Sequence, residues 1–145
     1  MSLTNAEVVT ALHGLLAADQ VLTDEATLTQ SSVDNFRKLQ NIFGVHTMRR
    51  PLAVVMARST DDVARVLEFA DANGVNVVAR TGGTATEGGL ESGAEQSIVV
   101  DGSQMNGIIE IDAYDMQATV QCGVPLQALE DEARKLGLTT GHSPQ

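Results

Sequence analysis

Val75-Asn76-Val77-Val78-Ala79-Arg80-Thr81-Gly82-Gly83-Thr84-Ala85-Thr86-Glu87-Gly88-Gly89 is the stretch on which the fold turns. It opens as a short Val-rich run, the composition of a buried strand. It then breaks into a loop carrying Gly82, Gly83, Gly88 and Gly89. Upstream, Leu52-Ala53-Val54-Val55-Met56 is a second buried run. Between the two, Ser59-Thr60-Asp61-Asp62 caps a helix whose inner face is marked by Val63, Val66, Leu67 and Ala70. Asn73-Gly74 ends that helix, the glycine supplying a left-handed turn. Two buried strands joined by one amphipathic helix make a βαβ unit with a parallel pair. The glycine loop therefore sits at the carboxyl end of a parallel strand, where α/β proteins tend to place ligands.

Downstream of the loop, Ser97-Ile98-Val99-Val100-Asp101 reads as a third strand. Ile108-Ile109-Glu110-Ile111-Asp112 and Met116-Gln117-Ala118-Thr119-Val120-Gln121 flank Ala113-Tyr114-Asp115, the layout of a β-hairpin in which Asp112 and Asp115 suit the turn. Pro125 sits where a helix begins, with Leu126, Leu129, Ala133 and Leu136 as its apolar face and Lys135-Leu136-Gly137 as its stop. Upstream, Thr4-Asn5-Ala6-Glu7 starts a helix with Val8, Val9, Leu12, Leu15 and Leu16 at helical spacing. Asp24 to Phe36 is polar and irregular, short helical turns and loop, and Arg49-Arg50-Pro51 closes this lead-in because proline cannot continue a helix. The expected organisation is a helical lead-in over 1–50 followed by an α+β domain over 51–145.

Glycine lets the backbone bend sharply and lets a ligand approach without meeting a Cβ. Successive N–H groups can then converge into a nest for a phosphate or diphosphate. The loop does not end in the Gly-Lys-Ser/Thr of a Walker motif. It also does not open a helix as a G-x-G-x-x-G dinucleotide motif does, because Glu91-Ser92-Gly93-Ala94-Glu95 reads as more loop. Composition alone does not separate a phosphate nest from a plain connecting loop with turn glycines.

The 145 residues carry a net charge of -10, which disfavours nucleic acid and anionic lipid as partners. An anionic cofactor would then be held by backbone dipoles and not by a basic surface. Aromatic residues are 3% with no Trp, which disfavours base stacking. The single Cys122 forms no internal disulfide and no zinc cluster, and lying in an apolar stretch it reads as a small buried thiol. His13, His46 and His142 are scattered without metal-ligand spacing; the first two read as surface or packing residues and the third as structural. Asp61 and Asp62 suit helix capping. No stretch approaches the roughly 20 apolar residues of a membrane span. The N-terminus lacks an export signal, so the expected location is cytoplasmic.

The order of these features carries a resemblance. Val54-Val55, Ser59-Thr60-Asp61-Asp62-Val63, Arg80-Thr81-Gly82-Gly83-Thr84, Val99-Val100-Asp101, Met105-Asn106-Gly107-Ile108-Ile109, Val120-Gln121-Cys122-Gly123-Val124 and Gly141-His142-Ser143-Pro144 follow one another in the chain. This series resembles the FAD-binding domain of the vanillyl-alcohol oxidase/p-cresol methylhydroxylase family, the FAD-linked oxidases, from about Arg50 onward. The resemblance implies two α/β subdomains, the second truncated here. It also implies that Ala79, Arg80, Thr81, Gly82, Gly83, Thr84 and Ala85 wrap the FAD diphosphate through their backbone. The family usually has a third glycine where Thr81 stands, Ser in place of Ala85 and Pro in place of Ala57. Members that bind flavin covalently through this loop carry His at the position of Thr84, so non-covalent FAD is implied.

The last residues, Thr140-Gly141-His142-Ser143-Pro144, are most similar to alkyldihydroxyacetonephosphate synthases, in which Pro144 and Gln145 would continue around the cofactor. The implied parent is a flavin-dependent oxidoreductase, acting for instance on a 2-hydroxy acid or a phenol. The alternatives are a synthase-like flavoenzyme working without net redox change, or an interaction module without flavin. In the family, substrate-shaping residues come from a later cap domain. No catalytic residue is therefore expected in this chain, which should be inactive alone and should self-associate through apolar surface left uncovered.

Overall fold

The computed structural model describes residues 3–34 and 49–142. Phe36, His46, Ser143, Pro144 and Gln145, named above, lie outside the described residues.

Helix α1 (Asn5–Leu15) starts where the sequence places it, because Thr4 and Glu7 form a reciprocal capping box. A short 3-10 turn (Ala18–Gln20) leads into β1 (Val21–Leu22). Asp24 caps α2 (Glu25–Ser31) by accepting from the Thr27 N–H at 2.9 Å. Then come β2 (Val54–Met56) and α3 (Thr60–Asn73), the latter capped by Ser59 and closed by Gly74 at φ 67°. They are followed by β3 (Asn76–Arg80), β4 (Ser97–Asp101), β5 (Ile108–Asp112), β6 (Gln117–Val120) and α4 (Leu126–Lys135). This is the α+β mixture expected.

The main sheet has the order β1-β2-β4-β3, with β2, β4 and β3 parallel and β1 antiparallel at the edge. The βαβ expectation is corrected in one respect. β2 and β3 do run parallel, but β4 lies between them and pairs with both. β4 is therefore buried on both faces along its whole length, which explains its unbroken Ile98-Val99-Val100 run.

Strand alternation divides the core. Val55, Ile98 and Val100 point to the face covered by Val8 and Leu12 of α1 and Val66 and Ala70 of α3. Val54, Val78 and Val99 point to the opposite face, where Leu28 of α2 packs. The first helix thus shares one hydrophobic core with the βαβ unit. Two residues placed on inner helix faces are not there: Leu67 is 46% exposed and Leu136 is 52% exposed. The inward position next to Val63 and Val66 is taken by Asp62, a buried carboxylate.

Asp62 is a tertiary hub as well as an N-terminal residue of α3. It accepts from the Gln20 side-chain amide at 2.9 Å, the Arg58 main-chain N–H at 3.0 Å and the Arg65 guanidinium at 2.7 Å. Gln20 also donates to the Met56 carbonyl at 3.0 Å, tying the lead-in to the end of β2. Burial pushes the Asp62 carboxyl up, but these donors and the Ser59 hydroxyl outweigh it and hold the group below its ordinary value.

The second, two-stranded sheet pairs β5 with β6 antiparallel, and the expected turn forms with Asp112 accepting from the N–H groups of Tyr114 and Asp115 at 2.8 and 3.0 Å. It meets the main sheet at a close crossing. The Gly123 N–H donates to the Met105 carbonyl at 2.8 Å, and a Cβ on Gly123 would lie 2.3 Å from the Gly102 carbonyl oxygen.

Candidate functional site

A cleft of about 620 Å³ opens at the carboxyl ends of β3 and β4. Its floor is Ala79, Arg80, Val100 and Gly102, and one wall is Thr60 and Val63 at the start of α3. The glycine loop forms the rim through Thr81, Gly83, Thr84, Ala85 and Gly89, with Leu90 behind it, while Met105 and Cys122 close the side facing the hairpin. The sequence-derived set is thus gathered in one place, except that Gly82 does not line the cleft and Pro144 and Gln145 lie outside the described residues.

The loop is irregular from Thr81 to Gln96 and opens no helix. Among the described residues, none of the main-chain N–H groups from Thr81 to Ala85 donates to a protein acceptor. These residues are exposed or half-buried, so their amides are open to solvent or to a bound anion. Two glycines hold the loop in its shape: Gly83 at φ 66° and Gly88 at φ 83°, both in the left-handed region. Gly82 and Gly89 would accept a Cβ at ordinary contact distances, so which glycines matter was not evident from their spacing.

Arg80 is the cationic side chain lining the cleft. It sits in register with Asp101 on the neighbouring strand, so both side chains leave the same sheet face, and Nε approaches Asp101 Oδ2 at 3.5 Å. Asp101 Oδ1 in turn accepts from the Ser103 N–H at 2.8 Å. Among the described residues the site therefore offers one partly neutralised cation, a row of amides without protein acceptors and mostly apolar walls. That combination can hold a phosphate-bearing ligand with an apolar ring system without a basic surface, and it meets the chemical needs of a flavin dinucleotide. Among the described residues no group of His, Cys, Asp and Glu could hold a metal ion.

Sequence reasoning missed the walls from outside the loop: Thr60, Val63, Gly102, Met105 and Cys122. The expectation of a buried Cys122 is corrected. The thiol is exposed and lines the cleft, because β6 ends at Val120 and residue 122 falls in the turn that crosses over Gly102. His13 and His142 are both exposed. A second opening near the C-terminal end is lined by Glu130, Arg134, Gly141 and His142. There Glu130 accepts from the Thr140 N–H and from the Thr139 and Thr140 hydroxyls, each at 2.8 Å, which with Arg134 holds its carboxyl down to about 2.

Comparison with known proteins agrees with this architecture. The family described as FAD binding domain matches residues 51–145. The FAD-linked oxidoreductase YgcU of Escherichia coli (strain K12) is 54% identical over 145 residues, covering 100% of this chain and 30% of that protein. The mitochondrial D-lactate dehydrogenase [cytochrome] 1 of Saccharomyces cerevisiae is 27% identical over 146 residues, covering 92% of this chain and 25% of its own length. A solved alkyldihydroxyacetonephosphate synthase superposes with a TM-score of 0.85 at 24% identity, over 99% of this chain and 29% of that one, which is a likeness of fold. The chain thus spans about 30% of the length of relatives such as YgcU. The family resemblance drawn from the order of motifs is borne out, and the cofactor is FAD: this chain belongs to the FAD binding domain family, among whose members it is similar to an FAD-linked oxidoreductase.

Proposed function

We propose that this chain anchors FAD, non-covalently, for a flavin-dependent oxidoreductase acting on a 2-hydroxy acid. The observation that carries the proposal is the row of N–H groups from Thr81 to Ala85 that have no acceptor among the described residues, in a loop that holds left-handed Gly83 at the carboxyl end of β3. In this reading the backbone of Ala79–Ala85 holds the diphosphate, Arg80 contributes positive charge at its edge, and Pro144 and Gln145 continue the cofactor's surroundings. Thr60 and Val63 wall one side of the cleft and Met105 the side facing the hairpin, limiting water around the bound cofactor. Bound FAD supplies the electron-accepting chemistry, and the chain's residues bind and orient it. Residues 1–50 serve as the lead-in to a binding domain at 51–145. The hydroxy-acid class is supported by the likeness to a D-lactate dehydrogenase.

Titration of the purified chain with FAD, read by quenching of flavin fluorescence, should saturate. Acid precipitation should then leave all flavin in the supernatant, because Thr84 offers no imidazole for attachment; yellow colour in the pellet would overturn the non-covalent reading. For the substrate class, anaerobic addition of D-2-hydroxy acids to the protein extended to its relatives' length should bleach the flavin absorbance. Indifference to every 2-hydroxy acid would refute that class. The alternative is an enzyme of the alkyldihydroxyacetonephosphate synthase type, favoured by the fold match over 99% of the chain. It predicts turnover without net loss of flavin absorbance.

Two lesser assignments accompany this reading. Self-association through Ile109, Met116 and Leu136, which are 66%, 79% and 52% exposed, should give light-scattering masses above that of one chain. A cytoplasmic location accords with the absence, among the described residues, of a helix long and apolar enough to cross a membrane.

A further inference from the structure

We infer that Arg80 and Asp34 are positioning residues that fasten the two ends of the glycine loop to the segment Gln30–Asp34, making the end of α2 a brace for the cofactor site. This deepens the FAD reading of the loop and rests on it for its functional consequence, although the brace itself is a matter of protein geometry.

Strand alternation is the starting point. Arg80 leaves β3 on the same side as Val78, which is the sheet face covered by α2 and not the face covered by α1 and α3. Its guanidinium can therefore reach the last turn of α2, where Nη1 donates to the Gln30 carbonyl at 3.2 Å. That carbonyl belongs to the end of a helix, where main-chain oxygens lack intrahelical donors and a cation is favoured. Nε of the same group faces Asp101 at 3.5 Å. The fork thus bridges β4 and α2 at the point where the loop departs, a geometry that a planar guanidinium serves and an ammonium does not.

The far end of the loop is held by the same segment. The Gly88 N–H donates to Oδ2 of Asp34, a side chain that is 0% exposed and lies three residues past the end of α2. Between these anchors, Gly83 fits over the Arg80 head: a Cβ there would lie 3.1 Å from Nη2. The loop between Arg80 and Gly88 is accordingly pinned at both ends to one short stretch of chain. Its amides are presented in place before a ligand arrives, and such preorganisation strengthens binding.

Hydrogen exchange read peptide by peptide tests the brace without needing flavin. Asp34→Ala should speed exchange of the Gly88 amide by about ten-fold or more while β4 amides (Ile98 to Val100) keep their protection. Asp34→Asn, which retains an acceptor oxygen, should restore most of the difference. Arg80→Lys, which keeps the charge facing Asp101 but loses the fork, should free the near end of the loop and so speed exchange of the hydrogen-bonded Gly88 and Glu91 amides. Should Asp34→Ala also deprotect β4, Arg80→Lys decides the matter. Gly88 and Glu91 exchange unchanged in Arg80→Lys would overturn the brace. On the flavin side, Asp34→Ala and Arg80→Lys should each weaken FAD about ten-fold and leave riboflavin, which lacks the diphosphate, unaffected. If the parent chain binds no FAD, the cofactor reading of this loop fails, while the exchange data still decide for or against the brace.

Discussion

Substituting Gly123 by Ala should unfasten the hairpin from the main sheet, and the size of the effect follows from the crossing at Gly102. The new Cβ would lie 2.3 Å from the Gly102 carbonyl oxygen and 2.9 Å from both the Cα and the carbonyl oxygen of Ser103. A comfortable carbon–oxygen approach is about 3.3 Å, so the two segments must part by about 1 Å. All three obstacles are backbone, so no side chain can swing aside to absorb the change. Overpacking of this kind costs about 1–3 kcal/mol. The parting also loosens the Gly123 N–H bond to the Met105 carbonyl, 2.8 Å long, for about 1 kcal/mol more. The sum, about 2–4 kcal/mol, corresponds to a fall in Tm of roughly 5–15 °C for a chain of this size. Gly14→Ala is the matched control: its Cβ would meet nothing within 4 Å, and near the end of α1 it should stabilise by about 0.5–1 kcal/mol. Calorimetric melting of the three proteins is the assay. A Gly123→Ala chain that melts with the parent would refute the reasoning, because the crossing could not then be as tight as described.

Three further outcomes are expected. Gly83→Ala forces a side chain into the left-handed region at φ 66°; a strain of about 1–2 kcal/mol should weaken FAD about 5- to 30-fold in a fluorescence titration, with little change in Tm. Asp62→Ala strips the Arg58 N–H and the Gln20 amide of their shared acceptor; it should cost about 2–3 kcal/mol in urea unfolding, while Ser59 still caps α3. In acid, Glu130 titrates at about 2 when folded, below its ordinary 4.5, and Asp62 is also lowered. Their contribution is full above the unfolded values and is lost as pH falls through the folded ones. Stability should therefore decline from about pH 4.5 toward pH 2, and Glu130→Gln should flatten that slope in melts taken across the range.

The sequence was most informative where structure is local. Ser59 and Gly74 bound α3 because capping chemistry acts over a few residues, and the Val-rich run gave β4 because burial on both faces leaves little alternation to misread; β3 was found from its Val-rich run although, at the sheet edge, only Val78 of it is buried. The glycine loop was placed correctly at the carboxyl edge for the same reason: it follows directly from a strand. What escaped depends on partners far apart in the chain. β1 is two residues long and exists only through its pairing with Val54 and Val55. The insertion of β4 between β2 and β3 is a choice of return path that no periodicity records. Cys122 was misread because an apolar neighbourhood in sequence does not show that the chain turns there, across Gly102 from twenty residues earlier. Arg80 left one unused signal: a charged residue two positions after inward Val78 on a strand implies a partner on that face.

The central claim is that the amides from Thr81 to Ala85 hold the diphosphate of FAD. Two-dimensional amide NMR of the labelled chain tests it directly. On addition of FAD, and also of ADP, the Gly82, Gly83, Thr84 and Ala85 resonances should move as a group with one saturation curve, whereas riboflavin should leave them in place. FAD that saturates the protein while those resonances stay still would contradict the account.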